Sequence, residues 1–230
     1  MAHTSKPRTT LAVLDMAGTT VADDGLVEHA FTEAVGTLGV TADDERYPDM
    51  LAHVRATMGE SKIVVFRHLF GEESLAHKAN EAFEAAYARD VERGAVTEIA
   101  GAADAIDRLR TAGVRVALTT GFSATTQRAI LDALGWRELA DLTLCPADAG
   151  RGRPYPDLAL TALLRLGLAD VRTIATVGDT AYDVLAGLRA GAWLAAGVLT
   201  GAHDREQLTE AGATHVLDSV VDFCTVVLAE

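Results

Sequence analysis

The sequence predicts an α/β fold: a Rossmann-like parallel-sheet core with an inserted α-helical cap. Three observations predict it. Leu11–Asp15, Val114–Thr119 and Thr173–Val177 are short apolar runs, each ending at or just before polar or glycine residues. After Gly94 such runs alternate with stretches of helical periodicity, the pattern of βαβ units and a parallel sheet covered on both faces. Between about Leu26 and Arg93 nothing reads as a strand. The chain therefore leaves its core after the first strand, makes a helical excursion and returns, which assigns residues 1–20 and 98–230 to the core and 21–97 to the cap.

The elements follow in order. Leu11–Asp15 (LAVLD) is a buried parallel strand running into a tight loop at Gly18. Helical periodicity covers Leu26–Leu38, Tyr47–Met58, Lys62–Phe70 and Ser74–Arg93, with Gly39, Gly59 and Gly71 as stops. Helices are expected at Ala102–Thr111, Ala124–Leu134, Asp157–Leu166 and Ala181–Ala190, each followed by a glycine within two residues. Strands are expected at Val114–Thr119, Asp141–Cys145, Thr173–Val177, Ala192–Val198 and Thr214–Leu217. Ligands of such sheets bind beyond the carboxyl ends of the strands. There stand Asp15, Thr119-Thr120-Gly121 and Gly178-Asp179.

Composition narrows the function. The chain has 230 residues, 49% hydrophobic and 23% charged, the balance of an ordinary globular protein of one core plus a small second domain. A net charge of −13 repels nucleic acid. No apolar run approaches the roughly 20 residues of a membrane span. Met1–Thr10 lacks a signal peptide's apolar stretch and reads as a disordered lead-in, so the cytoplasm is the expected compartment. Cys145 and Cys224 follow no metal spacing and read as reduced core thiols. The same negative charge would repel a phosphorylated ligand, so binding one requires local cations.

Those cations and their partners are present. Asp15, at a strand end before a glycine turn, is free to attack, and the backbone N–H groups of the loop can cradle an oxyanion. Asp179 and Asp183 share one side of an opening helical turn. Carboxylates converging near Asp15 would bind Mg²⁺, which takes hard oxygen ligands and screens an anionic nucleophile from an anionic substrate. Each acid alone could instead be a helix cap. Thr119 offers a hydroxyl, and Gly121 lets backbone approach a ligand. Arg153, in a loop stiffened by Pro154 and Pro156, can chelate phosphorus oxygens. Lys62 begins a helix behind a plausible Ser61 N-cap. A helix N-terminus and a closed cap favour the free amine over the ammonium.

The DxxGT loop at Asp15, the TTG strand end at Thr119, the basic residue before Pro154 and the GDxxxD segment at Gly178 resemble the four motifs of the haloacid dehalogenase superfamily. That resemblance implies Mg²⁺, a mobile cap and an aspartyl-phosphate intermediate. Phosphatases of that superfamily carry a second aspartate two residues after the nucleophile, as general acid; this chain has Ala17. Alanine there, with Met58-Gly59-Glu60-Ser61-Lys62 in the cap, is similar to phosphonoacetaldehyde hydrolase, or phosphonatase. The resemblance implies carbon–phosphorus cleavage, with Lys62 forming a Schiff base to the substrate aldehyde. It implies metal ligands Asp15, the Ala17 carbonyl and Asp179, with Asp183 near the metal's waters. It further implies substrate contacts from Met16, Ala17, Met58, Gly59, Thr120 and Gly121, and a homodimer through the cap. The chain departs from that family at Val65, where the family has histidine, at Met16, where tryptophan is common, and near Gly25, where it has cysteine. The alternative is a Mg²⁺-dependent phosphatase acting on a small phosphate ester. A non-catalytic binding protein would need no nucleophile, and a dehalogenase would leave the paired acids unexplained.

Overall fold

The computed structural model describes residues 9–22 and 24–229. Six parallel strands form one sheet: β1 (Leu11–Asp15), β2 (Arg115–Thr119), β3 (Leu142–Leu144), β4 (Ile174–Gly178), β5 (Leu194–Val198) and β6 (His215–Leu217). Their order is 3-2-1-4-5-6, so successive strands step away from β1 on both sides. β1 is apolar up to its last residue because it is central, and all five of its residues are buried. It pairs with β2, setting Asp15 beside Thr119, and with β4, setting Leu14 beside Val177. The strand order reverses at β1, so a crevice opens beyond the carboxyl ends of β1 and β4.

Four helices fill the excursion after β1: α1 (Leu26–Gly36), α2 (Tyr47–Ala56), α3 (Lys62–Phe70) and α4 (Glu73–Glu92). The way out and the way back run side by side: the Ala22 N–H donates to the Thr97 carbonyl (2.9 Å), and the Ile99 N–H to that of Thr20 (2.9 Å). α1 and α3 pack on α4 around Phe31, Phe66, Phe83 and Tyr87, all buried. This cluster joins the core through Phe122, which follows the TTG strand end and sits 4.6 Å from Tyr87, centroid to centroid. Such aromatic pairs are worth about 0.5–1.5 kcal/mol beyond burial.

A polar latch lies beside this plug. Glu84 of α4 accepts from the backbone N–H of Ser123 (3.3 Å), its hydroxyl (2.6 Å) and the Thr126 hydroxyl. These groups open the helix α6 (Ala124–Leu134), so a cap carboxylate sits at the positive end of a core helix.

The remaining helices are α5 (Ala102–Thr111), α7 (Pro146–Ala149), α8 (Asp157–Arg165), α9 (Ala181–Ala190), α10 (Arg205–Glu210) and α11 (Val220–Leu228). Three of these, α7, α10 and α11, lie outside the expected elements. α11 (VVDFCTVVL) has the β-branched composition of a strand. It is a helix because Val220, Phe223, Cys224 and Val227 share one buried face, which packs on α5. Cys145 and Cys224 are buried free thiols, as expected.

Part of the expected disordered lead-in is fixed in place. Residues 1–8 lie outside the described residues, but Thr9 is buried and accepts from the Trp193 indole N–H (2.9 Å). The Thr10 N–H donates to the Thr173 carbonyl (3.0 Å), which extends the sheet by a residue. Among the described residues no helix is long and apolar enough to cross a membrane.

Candidate active site

β1 delivers Asp15 to the crevice and β4 delivers Asp179; Asp183 follows one turn into α9. The three carboxylates each offer an oxygen within 4.8 Å of the others. Asp183 is held from behind. Thr180 caps α9, and its N–H donates to one Asp183 oxygen (3.2 Å), a reciprocal capping box. The other Asp183 oxygen accepts from Arg153, whose same Nη1 also donates to Asp15. The expected helix-cap role and the expected place beside Asp15 thus belong to one residue. Asp179 accepts from the Ala202 N–H (2.7 Å) and the Thr19 hydroxyl (3.3 Å).

Arg153 pairs with Asp15 and Asp183, and its side chain and those of all three aspartates are buried. Burial, above all, pushes the Asp15 carboxyl well above its ordinary range; Arg153 opposes this, and Asp183 and Asp179 add to it. Burial, then Asp183, pushes Asp179 up to about 7. Burial disfavours the guanidinium of Arg153, yet Asp15 and Asp183 hold it above its ordinary value. Three buried carboxylates against one cation leave negative charge uncompensated, which is costly in a dry site. An all-oxygen donor set with surplus negative charge fits a hard divalent cation. Arg153 also keeps one buried donor, Nε, without a partner among the described residues.

Above the triad is a cavity of about 470 Å³ between core and cap. From the core it is lined by Asp15, Ala17, Thr120, Gly121, Arg153 and Asp179. From the cap it is lined by Met58, Gly59 and Lys62. The N–H groups of Ala17 and Gly121 donate to nothing among the described residues, whereas that of Gly18 is spent on the Val21 carbonyl (2.7 Å). Lys62 is 8% exposed, with Nζ 5.8 Å from the Phe122 ring centroid and 6.0 Å from that of Phe83. Ser61 holds the N-cap position of α3, but its side chain makes no capping bond.

Three expected site residues do not line the cavity. The side chain of Met16 is wholly buried, with the Gln127 amide 3.7 Å from its sulfur, because the residue after a strand-end aspartate turns to the opposite face. The Thr119 hydroxyl donates to the Leu14 carbonyl (3.4 Å), so Thr120 is the threonine on the cavity. Asp183 lies behind Arg153. Val65, where phosphonatases have histidine, is buried in the apolar interior with Phe66.

Sequence reasoning missed the loop after β5. Thr200 donates to the Gly18 carbonyl (2.7 Å), and Ala202 to Asp179. The strand-end rule that found Asp15 and Asp179 applies equally to Val198 and would have found it. It also missed Glu60 and the ion pair of Glu28 with Arg55, which line the cavity from the cap. No periodicity or spacing marks those residues; only the seating of the cap brings them in.

The seating is tight. Gly59, at φ +86°, faces Thr180, and a Cβ on Gly121 would lie 2.8 Å from the Glu60 carbonyl oxygen and 3.0 Å from that of Gly59. Only glycine fits under that turn. Gly121→Ala is expected to push the cap off the core and cut kcat/KM at least about tenfold, or about 1.4 kcal/mol, while the melting temperature moves little. Equal kcat/KM in the two proteins would show that the turn does not seat during turnover.

The profile of the haloacid dehalogenase-like hydrolases matches residues 9–191. A protein named probable phosphatase IndB, from Dickeya dadantii, is 29% identical over 91% of this chain and 89% of its own. A phosphonoacetaldehyde hydrolase from Nitratidesulfovibrio vulgaris is 28% identical over 94% of this chain and 89% of its own. The crystal structure of a phosphonoacetaldehyde hydrolase-like protein from Oleispira antarctica superposes with a TM-score of 0.83 at 26% identity, covering 97% of this chain and 93% of that one. The chain belongs to the haloacid dehalogenase-like hydrolase family, with phosphonoacetaldehyde hydrolases among its relatives.

Proposed function

We propose that this hydrolase cleaves the carbon–phosphorus bond of phosphonoacetaldehyde or a close analogue. The observation that carries the reading is one cavity bounded by Asp15 below and Lys62 above, with alanine at position 17. A carboxylate nucleophile, an amine across the cavity from it and no acid two residues after the nucleophile suit a leaving group that departs as an enamine. Lys62 condenses with the aldehyde, and the faces of Phe83 and Phe122 favour the resulting iminium cation. Asp15 attacks phosphorus. The free Nε–H of Arg153 and the N–H groups of Ala17 and Gly121 are the donors for the transferring oxygens. Water then hydrolyses the aspartyl phosphate.

Asp15, the Ala17 carbonyl and Asp179 would hold Mg²⁺, with Asp183 beside it. Bound there, Mg²⁺ neutralises charge between two anions. Because it would compensate the buried triad, Mg²⁺ at a hundredfold excess over its Kd is expected to stabilise the fold by about 2.7 kcal/mol, a melting shift of roughly 5–10 °C. Asp179→Asn should lose most of that shift, whatever its activity. An unchanged melting temperature in saturating Mg²⁺ counts against the ligand set.

The second reading is a phosphatase acting on a small phosphate ester. Burial of Val65 favours it, since the cap lacks the histidine that accompanies the lysine in phosphonatases. Phosphate release from phosphonoacetaldehyde and a panel of phosphate esters, with and without Mg²⁺, separates the two. Preference for an ester over the phosphonate would overturn the first reading.

A further inference from the structure

We infer that Glu60 is the proton donor to the departing group, filling the role that Ala17 leaves open. The inference deepens the reading above and rests on it only in needing a leaving group on the cap side of Asp15.

Five carboxyls among the described residues line the catalytic cavity: Asp15, Asp24, Glu28, Glu60 and Asp179. Asp15 and Asp179 belong to the triad beneath the substrate. Glu28 is gripped by Arg55 through two bonds (2.6 and 2.8 Å), which hold its carboxyl below the usual range, so it is an acceptor only. Asp24 is exposed. Glu60 is half-buried in the turn between α2 and α3, two residues before Lys62. Burial raises its carboxyl, against Lys62 and His68, which pull it down.

Its backbone is fixed: the Glu60 N–H donates to the Thr57 carbonyl (3.1 Å), and its own carbonyl lies over Gly121. With the main chain held there, Glu60 lines the same cavity as Asp15 and Lys62, which places it within the substrate's enclosure when the cap seats. Glu60, Lys62 and Arg153 also line a second cavity of about 610 Å³ on the far side, between α3 and the Arg151–Tyr155 loop. Water there can restore the proton.

For a phosphonate, attack by Asp15 breaks the C–P bond. The electron pair passes into the C=C bond of an enamine and neutralises the iminium nitrogen. Glu60 gives its proton to the terminal carbon, and the iminium so formed is opened by water to aldehyde and the Lys62 amine. For a phosphate ester the P–O bond breaks and the pair stays on the alkoxide oxygen, which takes the same proton. In both cases Glu60 ends as a carboxylate and is reprotonated from water.

The test compares Glu60→Gln and Glu60→Asp with wild type on three substrates in Mg²⁺: phosphonoacetaldehyde, alkyl phosphates, and p-nitrophenyl phosphate, whose leaving group needs no proton. Glu60→Gln is expected to lose about 10²-fold or more in kcat on whichever of the first two substrate types wild type turns over. It should stay within about threefold on p-nitrophenyl phosphate, and Glu60→Asp should fall between. Equal losses on all substrates, no loss on any, or a wild type that hydrolyses only p-nitrophenyl phosphate would overturn the assignment. If wild type cleaves alkyl phosphates but not phosphonoacetaldehyde, the phosphonatase reading fails while the Glu60 comparison still stands on the esters.

Discussion

Asp15→Asn is expected to release no measurable phosphate from any substrate, a loss of about 10⁴-fold or more, as for other removed nucleophiles. The amide keeps the shape of the carboxylate and removes its negative charge and most of its nucleophilicity. What distinguishes this loss from simple damage is its sign on stability. In the metal-free protein Asp15 is one of three clustered buried carboxylates, two of which, Asp15 and Asp183, share the Arg153 guanidinium, and its carboxyl already carries a burial penalty. Removing one negative charge relieves repulsion with Asp179 and Asp183, while Arg153 keeps its bond to Asp183. The melting temperature without divalent cations should therefore hold or rise. Addition of Mg²⁺ should stabilise the variant less than wild type, because one ligand charge is gone. Steady-state phosphate release and thermal melting with and without Mg²⁺ check both halves. Retention of a tenth of wild-type activity would overturn the assignment of the nucleophile.

That triad could be reached from sequence because parallel sheets impose a rule: an apolar run that ends in an acid presents the acid at the site edge. β1 and β4 obey it, and so Asp15 and Asp179 were legible. Arg153 was legible from its prolines, although its pairing with Asp15 and Asp183 was not, because contacts between strand ends are tertiary. Period-2 alternation does not carry past a strand's last residue, so it cannot say which of two adjacent threonines faces a ligand there; Thr119, which ends β2, and Thr120, just beyond it, show this. The helices of the excursion were legible to within a few residues because glycines punctuate them. α11 was hidden by its valines, which carry strand propensity into a helix that tertiary packing imposes. Cap residues such as Glu60 and Glu28 carry no pattern at all. They reach the site through the seating of Gly59 and Glu60 on Gly121, a long-range contact between two surfaces that are each unremarkable alone.

Sodium borohydride added with phosphonoacetaldehyde is expected to inactivate the enzyme irreversibly and to leave one reduced adduct on Lys62, found by peptide mass mapping. An imine needs the lysine nitrogen within reach of the aldehyde, and Lys62 is placed for that: it opens α3, is buried, and lies on the wall of the cavity above Asp15. Lys62→Arg keeps the cation and the hydrogen-bonding reach but forms no imine, since the guanidinium does not deprotonate. It should lose about 10⁴-fold or more on the phosphonate and resist borohydride. On a phosphate ester the same variant should stay within about tenfold of wild type, because there the side chain supplies only charge. The two readings thus predict opposite rankings from one substitution. Without an imine, the C–P electron pair has nowhere to go: a bare carbanion is a far poorer leaving group than an enamine, and Asp15 could not expel it at a useful rate. Borohydride that leaves Lys62 unmodified during phosphonoacetaldehyde turnover would show that the cap lysine is not the electron sink.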